Sequence, residues 1–197
     1  EAVGDPNTGA TIILIYCMAF DANGDLYIGG DFTNLAGIAE ADYFAKYVVS
    51  SNTWEAVGSG INGAVRAIEI SPQGTIYIGG SFTSASGNAN CVHVAYLNAT
   101  PVLVWDDFCT WGAGVIHGNG VNALKFRSNG HLIIGGTFTN AKDTGGDYIC
   151  YWDGLNTALQ SFEDLGAAGL NGTVSTIDIN PNSTIVIGGN ISNAGGN

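Results

Sequence analysis

An eight-residue motif, Ile76-Tyr77-Ile78-Gly79-Gly80-Ser81-Phe82-Thr83, occurs in four related copies along this chain and is called the phrase below. Its other copies are residues 26–33 (LYIGGDFT), 132–139 (LIIGGTFT) and 185–192 (IVIGGNIS). The second glycine of each copy stands at 30, 80, 136 or 189, so the copies follow one another at intervals of 50, 56 and 53 residues. A period of this length, in units rich in strand-forming residues, is typical of β-propellers and related repeat arrays.

Each repeat predicts four short antiparallel strands. An apolar run and a turn precede the phrase, as in residues 65–70 and 71–74, and together with the phrase they predict a hairpin. A Gly/Ala/Asn loop then leads to a third strand at 94–97, and a fourth begins near Trp105. The run at 75–79 is almost wholly apolar, which is typical of a strand buried on both faces. Four such strands make one propeller blade.

The fold class predicted is therefore all-β: a partial β-propeller over residues 1–197, with about three and a half blades. The predicted limits of the blades are approximately 11–57, 61–111, 117–165 and, for the half-blade, 170–197. Residues 1–4 repeat the letters of 55–58, and the last repeat stops before its third strand. Outer blade faces would expose apolar sheet, so we expect further blades, either in a longer polypeptide or from copies that complete one another.

Composition excludes several classes of function. The 197 residues include 17 acidic and 5 basic side chains, for a net charge of −12. Nucleic-acid binding requires a basic face that neutralises phosphates, and the scattered basic residues predict none. No run of 18 apolar residues is present, so membrane insertion by a helix is not expected.

The segment 45–83, AKYVVSSNTWEAVGSGINGAVRAIEISPQGTIYIGGSFT, resembles the repeats of bacterial exported and phage-associated propeller proteins. It is similar to delta-60-type repeats and to those of Rax-two-like fungal surface proteins, and the resemblance extends over essentially the whole chain. It implies a propeller in a surface, adhesion or virion protein, and it brings no catalytic motif. Repeat four departs from the pattern, because Ile191-Ser192 replaces Phe-Thr.

Asp21, Asn23 and Asp25 place oxygen ligands at alternating positions, as at the start of a calcium loop. A full loop would have Gly at its sixth position and Glu at its twelfth, where Leu26 and Phe32 stand instead. The preference of Asn and Gly for tight turns favours a plain turn here, with a calcium site as the weaker alternative.

The longest repeat interval, the 56 residues from Gly80 to Gly136, suggests a binding site. Trp111, with Phe108 and His117 nearby, lies in its extra residues, and insertions on a propeller face are where binding is commonly found. Trp54 and Trp105 recur at the start of the fourth strand, so packing explains them better than ligand stacking.

The four cysteines show no metal-binding spacing. Cys17 and Cys150 replace alanines of other repeats and are predicted to be small buried residues. Cys91 lies in a loop between strands two and three, and Cys109 near the exit of strand four. These positions share one face of a blade, so a disulfide between them is a candidate and would imply an oxidising compartment.

No catalytic or cofactor-binding site is predicted. The Gly-Gly pairs follow a strand but open no helix, so they indicate a bend or a close backbone approach between blades and not a phosphate cradle. Asp106 and Asp107 are adjacent on a strand and would point to opposite faces. No Gly-x-Ser-x-Gly elbow is present.

The function expected from the sequence is a non-catalytic extracellular, cell-surface or virion module for adhesion or scaffolding. Its partners would be a protein or glycan surface and further blades of the same or another chain. Two alternatives stay open. The chain could be a subunit of a filament or shell completed between copies, or part of a carbohydrate-active propeller enzyme whose site lies in further blades.

Overall fold

The computed structural model describes residues 13–98, 104–106, 116–141, 147–153, 162–164 and 170–193. Every regular element in these residues is a β-strand, apart from one 3-10 turn at Leu35–Gly37. The chain divides into two compact units, Glu1–Asp107 and Phe108–Asn197. The predicted all-β class, with four-stranded antiparallel propeller blades, is confirmed.

The first unit contains two four-stranded antiparallel sheets, in which strands that follow one another in sequence are hydrogen-bonded neighbours. The strands of the first sheet are β1 (Ile13–Phe20), β2 (Leu26–Phe32), β3 (Phe44–Val48) and β4 (Thr53–Ala56). Those of the second sheet are β5 (Val65–Ile70), β6 (Ile76–Gly80), β7 (Val94–Asn98) and β8 (Val104–Asp106).

The second unit contains one four-stranded antiparallel sheet and one hairpin. The sheet is formed by β9 (Ile116–Phe126), β10 (Leu132–Ala141), β11 (Ile149–Trp152) and β12 (Phe162–Asp164). The hairpin of repeat four is formed by β13 (Val174–Ile179) and β14 (Ile185–Gly189).

The third repeat differs most from its sequence prediction. Strand β9 begins at Ile116, whereas the alignment of the repeats predicts a start five residues later, at Val121, which corresponds to Val65. It pairs with β10 as far as Ala141. Three register shifts interrupt this ladder, and Gly118 and Gly120 adopt φ of 121° and 130° within it. Glycine permits these angles, so the ladder continues past irregularities that would end it elsewhere.

Burial on both faces of the second strand is confirmed in the second blade, where all five residues of β6 are buried. Tyr27 and Phe44 of the first blade share a buried cluster with residues of the second. The Trp105 ring lies 5.3 Å from that of Phe44 in an edge-on arrangement, and Trp105 Nε1 donates a hydrogen bond to Val57 O at 3.3 Å. Packing therefore explains this tryptophan, as predicted.

The second glycine of each phrase lies against the backbone of the strand before it. A Cβ at Gly30, Gly80, Gly136 or Gly189 would meet a carbonyl oxygen of the first strand of its own repeat or of the residue just before that strand. No flexible side chain is involved, so the clash could be relieved only by moving the main chain. The backbone approach at the second glycine is thus close in all four repeats, but it lies within a repeat and not between blades as predicted.

The first glycine of the phrase lies against the next repeat. A Cβ at Gly29 would lie 2.6 Å from Cγ1 of Val65, and a Cβ at Gly135 would lie 2.5 Å from Cγ1 of Val174. Val65 and Val174 are fully buried. Within each unit, a valine at the start of one repeat therefore fills the space left by a glycine of the repeat before it.

Candidate functional site

A cleft of about 280 Å³ opens between loops of the first unit. Three segments line it: the β2–β3 loop of the first blade, the link between β4 and β5, and the β6–β7 loop of the second blade. The lining residues are Ala39, Glu40, Asp42, Ser59, Gly60, Ile61, Asn62, Ser84 and Gly87. This set is called the loop cleft below.

Asn62 fastens the link to the β6–β7 loop. Its Oδ1 accepts hydrogen bonds from the backbone N–H groups of Thr83 and Ser84, each at 2.8 Å. Its Nδ2 donates to Thr83 Oγ1 at 2.9 Å. One amide side chain thus satisfies two main-chain donors that no strand partner would reach, which fixes the wall of the loop cleft.

Ser86 makes a second tie between the same segments. Its Oγ accepts a hydrogen bond from Ser59 N at 2.9 Å, and its own N–H donates to Gly60 O at 2.8 Å. Ser86 adopts φ of 47°, which is uncommon for a residue other than glycine. These two bonds hold it in that conformation.

The opposite wall is built on a short turned segment. Leu35 and Ala41 are fully buried, and Leu35 N donates to Ala41 O at 3.2 Å. Asp42 Oδ1 accepts a hydrogen bond from Asn34 N at 2.7 Å. The buried pair anchors the loop from below, so Glu40 is left exposed at the rim of the loop cleft.

The loop cleft is polar and negatively charged. Glu40 and Asp42 supply carboxylates, Ser59 and Ser84 supply hydroxyls, and no lining residue is basic. Such a set accepts hydrogen bonds readily, and it favours neutral or cationic groups over anions.

Sequence reasoning missed the asparagine in the link. Asn171 repeats its role in repeat four, where its Oδ1 accepts from Ser192 N at 3.1 Å and from Asn193 N at 2.7 Å. The available signal was the pair Ile-Asn-Gly at 61–63 and Leu-Asn-Gly at 170–172. His117 stands one residue before Gly118, which approaches Phe138 as Gly63 approaches Phe82. His117 thus occupies the asparagine's position in repeat three, but its side chain lies outside the described residues.

Asp21 and Asp25 form a turn fastened by a lysine. Asp21 Oδ1 accepts from Asn23 N at 2.8 Å and from Asp25 N at 3.0 Å. Lys46 Nζ lies 2.7 Å from Asp25 Oδ2 and 3.9 Å from Asp21 Oδ2, and Val49 N donates to Asp25 Oδ1 at 2.9 Å. A calcium ion would have to displace this ammonium. The calcium alternative stays a prediction, and the geometry observed is that of the turn.

The lysine changes the acidity of its neighbours. The hydrogen bond from Lys46, followed by that from Val49 N, lowers the pKa of Asp25 below its ordinary value. Burial is the largest single effect on Lys46 and lowers its pKa, but the hydrogen bonds and charges of Asp25 and Tyr27 together outweigh burial and raise the pKa above its ordinary value. Burial also raises the pKa of Tyr27, whose ring centroid lies 5.4 Å from Lys46 Nζ.

The structure describes three cysteines, each at least partly buried. Burial raises the pKa of Cys17 to about 12, so its thiol stays protonated near neutral pH, and its Sγ lies 3.8 Å from Val65 O. Cys91 and Cys150 are fully buried. Cys109 lies outside the described residues, so the disulfide with Cys91 stays a prediction.

The predicted aromatic site cannot be compared with the loop cleft, because Phe108 and Trp111 lie outside the described residues. Across the described ranges, no three His, Cys, Asp or Glu side chains form a group that could hold a metal ion. A search of those ranges for a helix of sufficient length and apolarity to cross a membrane finds none.

The chain belongs to the family of the Rax2 C-terminal beta propeller domain, whose model matches residues 9–101 and 116–197. The resemblance drawn from the repeats is thereby confirmed for the Rax-two-like family. No curated protein matches the chain. Among solved structures it is similar to PorZ of Porphyromonas gingivalis, an essential bacterial surface component of the type-IX secretion system. The identity is 16% and the TM-score 0.57, over 94% of this chain and 26% of that one, so the likeness concerns the fold and about a quarter of the solved chain.

Proposed function

We propose that this chain is a non-catalytic, extracellular or cell-surface propeller module that binds a glycan in the loop cleft. The observation that carries the proposal is the fixed geometry of that cleft. Asn62 and Ser86 fasten two of its three segments to each other before any ligand arrives. Preorganisation of this kind reduces the ordering cost of binding.

The lining chemistry favours a hydroxyl-rich ligand. Tightly binding protein partners usually insert an aromatic or arginine anchor into an apolar pocket. The loop cleft offers small polar side chains, and its one large aliphatic residue, Ile61, is itself buried. Carboxylates and hydroxyls can accept hydrogen bonds from sugar hydroxyls. With a net charge of −12 on the chain, we infer that the glycan is neutral or carries amino sugars.

Binding to an array of neutral, amino-sugar and acidic oligosaccharides tests the proposal. We expect retention of neutral or amino sugars. Ala39→Trp should weaken it about tenfold or more by filling the cleft, and Glu40→Gln should weaken it less. Glu55→Gln on β4 is the matched control, since Glu55 is exposed and is not among the cleft residues. No retained sugar, or equal binding by Ala39→Trp, would contradict the proposal.

The non-catalytic part of the proposal has its own readout. The retained oligosaccharides should be recovered at unchanged length after prolonged incubation with the protein. New reducing ends that depend on Glu40 or Asp42 would assign carbohydrate hydrolysis to the loop cleft instead.

A further inference from the structure

Strand β1 exposes an apolar face. Leu14, Ile15, Tyr16, Met18 and Phe20 are all exposed, with Met18 at 63% and Phe20 at 65% of their full accessible area. Large hydrophobic side chains that are exposed in this number on one strand mark an interaction site. This set is called the β1 patch.

The pairing register between the first two strands shows which residues of the other repeats are equivalent to those of the β1 patch. Met18 pairs with Ile28 and Phe20 with Leu26. The same positions in the second blade are Ile68 and Ile70, and in repeat four they are Ile177 and Ile179. In both cases the isoleucines pack in the apolar layer that the repeat shares with the one before it. Met18 and Phe20 therefore hold blade-contacting positions, yet both side chains are largely exposed.

Ile15 extends the same argument to the joint between glycine and valine. It pairs with Gly30 as Val65 pairs with Gly80 and Val174 with Gly189. Val65 and Val174 are fully buried against the first glycine of the preceding repeat, whereas Ile15 is 43% exposed. Ile15 thus has the position of the side chain that fills a glycine's space, while its own side chain stays partly exposed.

Repeat four presents the complementary surface. Val186 holds the position of Tyr27 and Ile133, which are 6% and 0% exposed, yet Val186 is 57% exposed. Gly188 holds the position of Gly29 and Gly135, but among the described residues a Cβ there would meet only Thr176 of its own hairpin. Within that part of the chain, no valine or isoleucine fills this glycine site on β14.

We propose that the β1 patch of one copy docks on the β14 face of a second copy, with Ile15 against Gly188. The contact repeats the joint between blades that the structure shows twice within single chains. It is heterologous, so it joins copies head to tail, as rings and filaments require. This contact between copies does not involve the loop cleft, so it does not depend on the proposed binding of a glycan there. Since each copy carries −12, added salt should strengthen the association by screening repulsion.

Sedimentation velocity of the whole chain at rising concentration tests the contact. The wild-type chain should form dimers and larger species at micromolar concentration. The double variant Met18→Asp/Phe20→Asp removes the β1 patch, and Val186→Asp adds a charge to the β14 face. Each should weaken association at least about tenfold. Val49→Asp, at a residue that is 54% exposed on the β3–β4 turn, should leave association unchanged.

Mixing the two deficient variants gives the decisive result. One variant keeps only the β14 face and the other only the β1 patch, so a head-to-tail contact should yield a dimer of one copy of each and nothing larger. Circular dichroism checks that each variant is folded. A wild-type chain that stays monomeric, an association that neither variant weakens, or a mixture that forms no dimer would each overturn the proposal.

Discussion

The turn between the first two strands of each repeat shows how one residue type is selected by backbone geometry. Gly24, Gly74 and Gly130 adopt φ of 83° to 87° there, and repeat four has Ser183 in the same position at φ 63°. In three repeats, glycine takes up this left-handed conformation without cost, but a residue with a Cβ is strained by about 1 kcal/mol.

Ser183→Gly should therefore stabilise the second unit. We expect a gain of about 0.5–1 kcal/mol in the free energy of unfolding, since relief of strain outweighs the loss of an exposed hydroxyl contact with Ser128. Gly130→Ser in the preceding repeat is the matched control and should destabilise by a similar amount. Chemical denaturation measures both. A Ser183→Gly protein less stable than wild type would show that the hydroxyl matters more than the backbone.

At the scale of elements, the first hairpin is tied to β3 by charge. Lys46 on β3 reaches Asp25 at the start of β2, and Asp25 also accepts from the backbone of Val49. The other three repeats have Thr75, His131 and Thr184 at the position of Asp25. In repeat three the His131 ring stacks on Tyr151 at 5.1 Å, so one position links the same strands by different chemistry.

Asp25→Asn should lower stability in a pH-dependent manner. The pKa of Asp25 is lower in the folded protein than in the unfolded chain. Its charge therefore stabilises the fold above the ordinary carboxyl pKa of about 3.9. That contribution is lost as the pH falls through the lower, folded value. Urea midpoints at several pH values should show the variant to be less stable at pH 7, with the gap closing in acid. Asp31→Asn is the control, and an equal gap at all pH values would contradict the account.

The sequence predicts strands better than it predicts the connections between them. Gly79-Gly80 and its copies fix the register of each repeat, so the blades follow from the alignment alone. Asn62 escaped prediction because asparagine in a glycine-rich link is ordinarily explained by its own turn. Here its side chain instead accepts hydrogen bonds from the backbone of Thr83 and Ser84, which lie 21 and 22 positions further along the chain. The ion pair between Lys46 and Asp25 joins two strands, and the other repeats lack this pair of residues, so no repeated sequence pattern predicted it.

At the scale of the whole molecule, the two repeats within each unit complete each other. A single blade would leave apolar side chains exposed on both faces, and stacking buries them in a layer shared with the next blade. Within each unit, the valine of one repeat fills the space that a glycine of the repeat before it leaves. Membership of the Rax2 C-terminal beta propeller family is consistent with this construction.

Gly135 and Val174 are coupled across two repeats, and a double-mutant cycle measures this coupling. Gly135→Ala places a Cβ 2.5 Å from Val174 Cγ1, and Val174→Ala empties a fully buried site. Each should destabilise the protein by about 1–3 kcal/mol. In the double variant the new methyl group occupies the vacated space, so the total loss should fall short of additivity by about 1 kcal/mol or more. Losses that add within about 0.5 kcal/mol would show that the glycine is required for another reason.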